Sequence, residues 1–588
     1  MRFSIRKITA LALAVLMAAG LAACGSADHR ASRPGAEYMQ KDGNGKDAAE
    51  FRAKEEQINA AEEQPEAAES GKAEDKGAGE PDEISPLHLT QVNTTLYRLI
   101  PDTYNYRYNV NDSYVELAED TGKRYPELAA ALDAFNGQQK QSLNESIEWL
   151  ESESEMFFSE RSDPGFDEYL YSNDSCCVLR ADSNVLSMLL YGETYSGGAH
   201  PISGYGGVTF HTGTGKKLEL EDVVTDPDAF ARLVDERLRV EYAEEYEYFY
   251  SDPVEVIKEG SMDWTLGYEE ITVYFSAYTL GPYAMGEQCI TVNFSEAPEL
   301  FCGAFTEAAD SYIVPLRDGS PLERDLFGSG EKESIRLQYV PVDEYAGNWL
   351  VCRGSSSCDL NTYGYDQESY LVRSDGKYYV YVFVTVDNDY RLLYTVDLSS
   401  MTSVEPEPPL LEPAGIGYVR TDYDDGGTYV SKYALLTDPA EFRLTSRIDM
   451  LSTMSAEKRY HTGPAGCPAE DEDALTVHSD RLLKTRQTVE ADLVDRNGDV
   501  IGSTEIPPGT CLSFVRTDGK TYMDMQEADP AHIYAEETEW YCYYYAEEMT
   551  EPDWSGPVYR IRVDKNDWPH TVNGFPEDDV FAGIGYAG

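Results

Sequence analysis

The spacing of apolar and polar residues changes along the chain and separates strand-forming from helix-forming segments. From residue 89 onward, stretches such as YRYNVNDSYVEL and EEITVYFSAY alternate with a period of two, which is typical of half-buried β-strands. Two segments, about 124–152 and about 226–246, have helical spacing instead, and Asp226 followed by Pro227 is a typical helix start. The pattern predicts an α+β domain over residues 89–303, with helices on an antiparallel sheet.

Helical spacing nearly disappears after residue 303, where short strands are separated by Asp-Gly and Asn-Gly turns. We expect a hairpin meander over 304–413 and a β-rich connecting region over 414–484. The closely spaced hairpins of 485–588 resemble bacterial SH3-like domains, so an SH3-like barrel is expected there. The predicted fold class is therefore an α+β domain followed by all-β domains.

The first 88 residues have a different composition. Residues 1–23 combine the basic Arg2, Arg6 and Lys7 with an apolar run, and the following LAAC-G around Cys24 resembles the lipobox of bacterial lipoproteins. An ordinary cleaved signal peptide that ends in cysteine is the alternative. Residues 24–88 are rich in Ala, Glu, Lys and Gly with almost no aromatic residue, which predicts a disordered tether. We expect a lipid-anchored protein on the extracellular face of a bacterial membrane.

Charge narrows the range of partners. The chain has 107 acidic residues against 47 Lys and Arg, a formal net charge of −60. Such a surface repels nucleic acid and anionic lipid headgroups, and it attracts cations and basic proteins. Nucleic acid is therefore excluded as a partner, although solubility outside the cell also favours acidic residues.

The chain contains no recognisable catalytic or metal-binding motif, and its eight histidines have no metal-ligand spacing. We therefore expect no cofactor, no metal and no enzymatic activity, with a glycosidase acid pair as the alternative. Nine cysteines remain beside Cys24, and an exported protein can form disulfides. Candidate pairs, chosen by proximity in sequence, are Cys352–Cys358, Cys289–Cys302 and Cys511–Cys542.

Two segments have a recognisable signature: LLYGETYSGGAHPISGYGGVTFHTGTGKKLELEDVV at 189–224 and ITVYFSAYTLGPYAMGEQCITVNFSE at 271–296. In this order they resemble the extracellular domain shared by RsiV-type anti-sigma factors and PdaC-type peptidoglycan deacetylases, over about residues 90–303. The resemblance implies a domain that binds lysozyme, a basic muramidase, in the anti-sigma factors and accompanies a catalytic domain in the deacetylases. Because the sigma-binding segment and the deacetylase metal triad are not recognisable here, we expect the binding module with all-β additions.

Two loops within these segments are the candidate binding site. Glycines allow positive φ and close approach of a partner, prolines stiffen the loops, and tyrosines offer aromatic contact. The candidate residues are Tyr195, Ser196, Gly197, Gly198, His200, Pro201, Pro282 and Tyr283. We expect the two loops to lie together at one edge of the domain, with His200 as a hydrogen-bonding organiser. The alternative is that both motifs only hold turns of the fold.

The expected function is thus a surface lipoprotein that binds a basic, lysozyme-like protein or a cell-wall glycan. A cell-wall-modifying enzyme with an unrecognised site and a structural envelope protein are the alternatives.

Overall fold

The computed structural model describes residues 84–100, 105–159, 169–317, 322–386, 391–406, 410, 413–423, 428–537, 542–546, 554–566 and 568–586. Cys24, the expected signal peptide and most of the expected tether lie outside these residues. The last residues assigned to the tether belong to the fold, because Leu87 is buried and its N–H donates to the carbonyl of Ala181. The tether prediction was therefore wrong for residues 84–88.

The first part of the fold combines long strands with helices. Its strands are β1 (Leu89–Leu99), β2 (Tyr106–Leu117), β3 (Leu170–Ala181), β4 (Val185–Tyr195), β5 (Ile202–His211), β6 (Asp263–Leu266), β7 (Glu270–Phe275) and β8 (Gln288–Asn293). Its helices are α1 (Glu119–Arg124), α2 (Pro126–Ser159), α3 (Leu220–Val223), α4 (Pro227–Glu241), α5 (Pro253–Lys258) and α6 (Gly303–Thr306).

Helix α2 is longer than its sequence pattern predicted. It runs for 34 residues to Ser159, and Gly137 does not interrupt it. Leu128, Leu132 and Leu150 are fully buried, so the helix is fixed to the sheet by apolar contacts near both of its ends. Helix α4 begins as expected, since the Asp226 side chain accepts a hydrogen bond from the N–H of Ala229.

The long strands form a mixed sheet that we call the main sheet, in the order β5–β4–β3–β2–β1. Neighbouring strands are antiparallel except β2 and β3, which are parallel because the long helix connects them as a crossover. The domain is thus a mixed sheet with a long helix, rather than a purely antiparallel one. Strands β6–β8 form a separate antiparallel sheet, which packs with α4 and α5 around a second core.

The following residues form antiparallel sheets, as expected of a meander. Their strands are β9 (Tyr312–Pro315), β10 (Leu322–Arg324), β11 (Glu333–Pro341), β12 (Gly347–Arg353), β13 (Ser356–Asp359), β14 (Asp366–Ser374), β15 (Lys377–Thr385), β16 (Arg391–Asp397) and β17 (Thr402–Val404). They make a four-stranded sheet, β10–β13, and a five-stranded sheet in the order β17–β16–β15–β14–β9.

The hairpin of β18 (Pro413–Tyr423) and β19 (Thr428–Ala434) joins distant parts of the chain. Strand β19 pairs with β1, so the main sheet gains two strands from more than 300 residues downstream. Strand β18 also pairs with β20 (Phe442–Asp449), which follows the hairpin and begins the C-terminal sheet. The boundary expected at 413/414 therefore does not coincide with a break between sheets.

The C-terminal strands are β21 (Thr453–Thr462), β22 (Pro468–Glu470), β23 (Leu475–His478), β24 (Arg481–Thr485), β25 (Val489–Val494), β26 (Val500–Ile506), β27 (Cys511–Thr517), β28 (Tyr522–Glu527), β29 (Ile533–Glu537), β30 (Cys542–Ala546), β31 (Val558–Asp564), β32 (Thr571–Val572), β33 (Phe575–Pro576) and β34 (Phe581–Ala582), with the short helix α7 (Glu577–Val580).

The expected hairpins are present in this region, but no closed barrel forms among the described residues. Strand β27 changes its partner along its length. Its first residues pair with β24, whereas Arg516 and Thr517 pair with β23. Because β23 also pairs with β21, the strands continue the preceding sheet instead of closing on themselves.

The candidate disulfides are not present in the structure. Cys352 faces Ser357, whereas Cys358 faces Val351 in the β12–β13 pair. Because neighbouring residues of a strand point to opposite faces, the two thiols lie on opposite sides of the sheet. Cys302 and Cys511 are also free thiols, so the pairs Cys289–Cys302 and Cys511–Cys542 are not formed either.

Candidate functional site

The loop between β4 and β5 contains most of the candidate residues. Gly197 has φ of +88°, and an added Cβ would lie 2.4 Å from the ring of Phe157 at the end of α2. Only glycine fits there without strain. Gly198 does not have positive φ and has ordinary space around it, so the expected conformational role belongs to Gly197 alone.

Hydrogen bonds within this loop hold it in one shape. The Tyr195 hydroxyl donates to the carbonyl of Gly198 at 3.2 Å, and His200 Nδ1 lies 2.8 Å from the carbonyl oxygen of Pro201. Ser196, Gly198 and His200 are exposed. The loop is therefore shaped by its own contacts and by Phe157, and its tip is accessible to solvent.

The second loop follows β7. Pro282 precedes a short 3₁₀ turn, Tyr283–Met285, which ends at Gly286 with φ of +71°. Tyr278, at positive φ of 72°, is exposed, and its ring lies 5.6 Å from that of Tyr283. This loop thus presents two tyrosine rings beside an exposed proline.

The two loops contact each other directly. The His200 ring stacks on the Tyr283 ring with 3.7 Å between centroids and 13° between planes. Ser276 Oγ accepts a hydrogen bond from the N–H of Tyr205 at 2.9 Å, which fixes the second loop to the edge strand β5. The structure therefore brings the two loops together at one edge of the domain, as the sequence predicted.

Two carboxylates lie beside this stack, Glu193 on β4 and Glu287 at the end of the second loop. The Tyr171 hydroxyl donates to Glu193 at 2.7 Å, and the Ser203 hydroxyl donates to Glu287 at 2.6 Å. Burial raises the pKa of Tyr283, and the charges of Glu193 and Glu287 raise it further. Burial also raises the pKa of Glu287. The stack therefore lies in a field of negative charge.

This arrangement suits a cationic side chain. Flat aromatic faces attract guanidinium and ammonium groups, and neighbouring carboxylates accept their N–H donors. His200 is not placed to activate a nucleophile through Nδ1, because this atom faces a backbone carbonyl. The geometry fits recognition of a positively charged partner.

Sequence reasoning named one residue of each loop in the stack but missed the residues that hold them. Phe157 lies at a helix end outside the quoted segments, whereas Ser276 and Glu287 lie within the second segment without being singled out there. Glu193 lies within the quoted ETYSGGAHP stretch, and its period-two relation to Tyr195 is the one signal that places both on the same face.

Within the described parts of the chain, His, Cys, Asp and Glu side chains do not form groups of three that could hold a metal ion. Among the same residues, no helix is both long and apolar enough to cross a membrane.

Comparison with protein-family models and with curated proteins finds no match. Two solved structures of DUF3298 family proteins match part of the chain. The protein from Pseudomonas aeruginosa PAO1 is 14% identical, covers 38% of this chain and 98% of its own, and has a TM-score of 0.29. The protein from Bacteroides fragilis NCTC 9343 is 19% identical, covers 38% and 94%, and has a TM-score of 0.28. DUF3298 is the RsiV/PdaC-type domain of unknown function, so the expected resemblance is confirmed over about 38% of the chain.

Proposed function

We propose that this chain is a non-catalytic binding protein whose two loops capture a basic protein outside a bacterial cell. The observation that supports this proposal is the His200–Tyr283 stack beside Glu193 and Glu287. A lysozyme-like muramidase is the partner that the sequence resemblance implies, and its cationic surface matches the net charge of −60.

The site would work by placing an arginine or lysine of the partner against the stacked rings. His200 and Tyr283 offer their ring faces, and the two glutamates supply the opposite charge. Remote acidic residues would speed the encounter, which makes association strongly dependent on salt. The lipidated Cys24 would anchor the chain to the membrane, and the segment after it would hold the loops away from the lipid surface.

Binding of hen egg-white lysozyme to the full chain tests the proposal. We expect the double variant His200→Ala, Tyr283→Ala to lower affinity at least tenfold, because exposed aromatic residues at the centre of an interface contribute about 1–2 kcal/mol each. The matched control is His461→Ala, Tyr345→Ala, which removes a half-buried histidine and an exposed tyrosine from elsewhere on the surface. Calorimetric titration at low and high salt measures the affinity of both variants for lysozyme.

The proposal predicts that only the loop variant loses binding while both variants keep the parental melting temperature within a few degrees. Equal affinity of the loop variant and the parent would overturn it. Binding that does not weaken with salt would also contradict the proposed electrostatic capture.

A further inference from the structure

The face of the main sheet that points away from α2 has an unusual composition. Across β1 to β5, pairing places one residue of each strand side by side in a row: Thr95, Asn111, Asn173, Glu193 and Ser203. All five side chains are partly accessible. Only one of them, Glu193, is charged.

A second row runs beside the first and has no charge at all. It consists of Asn93, Ser113, Ser175, Tyr191 and Tyr205. Ser113 is buried, and the other four are partly accessible. The two rows together present amides, hydroxyls and phenol rings, which both donate and accept hydrogen bonds.

Tyrosine rings border these rows. Successive centroids lie 5.7 to 6.1 Å apart, and the series crosses five neighbouring strands. It consists of Tyr429, Tyr97, Tyr106, Tyr169, Tyr171 and Tyr195. With strands about 4.8 Å apart, the border is on the order of 20 Å long. It is therefore an extended strip rather than a single pocket.

Exposure to solvent does not by itself account for this composition. Helix α2 covers the other face of the same sheet, and its 34 residues include seven acids and one lysine. Charged residues make up 26% of the whole chain. A face that only needed solubility would have the same character as the helix, whereas these rows contain amides and rings in place of charges.

The amides are also held in place. Asn111 Nδ2 donates to Asn173 Oδ1 at 2.8 Å across the parallel pair, and Gln91 Nε2 donates to Asn93 Oδ1 at 3.1 Å. Asn109 lies between Tyr97 and Tyr171 in the sheet, and its buried Oδ1 accepts no hydrogen bond within the described part of the chain. Rigid amides with unused hydrogen-bonding capacity are ready to recognise a ligand without losing much side-chain entropy.

We propose that this face, between the tyrosine strip and the two polar rows, binds a neutral glycan chain. Sugar rings have apolar C–H faces that pack on tyrosine rings, and their hydroxyl and N-acetyl groups pair with asparagine amides. A neutral polymer matches the charge of the two rows, whereas an anionic polymer would be repelled by the chain as a whole. The site does not include the stacked rings of the two loops, but it adjoins the loop site at Glu193, at Tyr195 and at Ser203, whose hydroxyl donates to Glu287.

Titration of the full chain with two neutral oligosaccharides tests this inference: the tetramer of β-1,4-linked N-acetylglucosamine, and cellotetraose, which lacks the N-acetyl groups. We expect saturable binding of at least the first. The double variant Asn111→Ala, Asn173→Ala should weaken it at least tenfold, and Thr95→Lys, which puts a long charged side chain into the row, should do the same.

Two control variants show whether the sugar binds at this face. Gln141→Ala, Asn144→Ala removes two exposed amides from α2 and should leave binding unchanged. The loop variant His200→Ala, Tyr283→Ala should bind the sugar like the parent while it loses lysozyme, so failure of one proposal is distinguishable from failure of the other. Absence of saturable binding to either oligosaccharide, or equal binding by both face variants and the parent, would overturn the inference.

Discussion

The two faces of the main sheet have the same strands but different chemistry. Toward α2 lie buried apolar side chains, among them Leu96, Val110 and Leu170, which pack against Leu150 of the helix. On the other face lie the amides, hydroxyls and tyrosine rings of the two rows, most of them partly exposed, and next to them an apolar patch that packs on β7. Because side chains alternate between faces, one set of strands can supply stability on one side and a binding surface on the other. Substitutions on the first face should therefore affect folding, and those on the second should affect recognition.

The largest effect on stability is expected from the helix-covered face. Leu132→Ala removes a side chain that is 1% exposed and leaves a cavity between α2 and the sheet. We expect the free energy of unfolding to fall by about 2–5 kcal/mol. Urea denaturation followed by circular dichroism measures it. A loss below about 1 kcal/mol would mean that the helix is not a main source of stability for this face.

A buried acid pair on the same face predicts a dependence of stability on pH. Burial raises the pKa of Asp112 to about 7, with the charge of Asp174 raising it further and Lys140 lowering it. Burial likewise raises the pKa of Asp174 to about 6. Because the folded state holds these protons more tightly than the unfolded state, the free energy of unfolding should decrease as pH rises from about 4 to about 7.

Asp112→Asn should remove much of this decrease and stabilise the protein at pH 8 by an amount on the order of 2 kcal/mol. Near pH 4 the variant and the parent should be similar. Denaturation at a series of pH values measures the difference, with the exposed Asp133→Asn on α2 as the matched control. A pH profile that Asp112→Asn leaves unchanged would contradict the prediction.

Gly197, in the loop between β4 and β5, packs against Phe157 at the end of α2. Gly197→Ala should destabilise the protein by about 1–2 kcal/mol, since φ of +88° is strained for alanine and the new Cβ overlaps the Phe157 ring. In the double variant Gly197→Ala, Phe157→Ala the overlap is relieved but the φ strain remains. The double variant should therefore lose less unfolding free energy than the two single variants lose in sum. Strictly additive losses would show that the ring does not restrict this position.

The smallest effect on stability is expected on the open face. Asn93→Ala removes one side-chain hydrogen bond from a partly exposed position. We expect a change within about 0.5 kcal/mol by the same urea measurement. A loss comparable to that of Leu132→Ala would mean that the open face is a second core rather than a binding surface.

Several elements were predictable from local sequence. Asp226 and Pro227 mark the start of α4, and the period-two alternation marks β2 and β7, because each signal depends only on neighbouring residues. The end of α2 was missed by seven residues, since its last turns are held by contacts of Phe157 and Ser154 with distant strands. The prediction of an SH3-like barrel was wrong, because the sequence of a hairpin does not determine which sheet the hairpin joins.

The candidate site likewise has parts that local sequence predicts and parts that it does not predict. The Gly-Gly-Ala-His-Pro and Pro-Tyr segments were recognisable by themselves, and their meeting was a reasonable expectation. Their stacking distance and the carboxylates beside them depend on β4, β5 and the second loop folding against each other. The need for glycine at position 197 depends on the contact with Phe157 of α2.

The amino-acid sequence by itself determined the acidic character of the chain, the alternation that gives strands such as β2 two unlike faces, and the two loop motifs. Only the tertiary structure decided that β19 pairs with β1, that α2 covers one face of the main sheet, and that polar side chains from five strands form rows on the other face. Side-chain alternation is a local property of an extended backbone, whereas strand order and cross-strand neighbours are set by contacts between residues far apart in the chain.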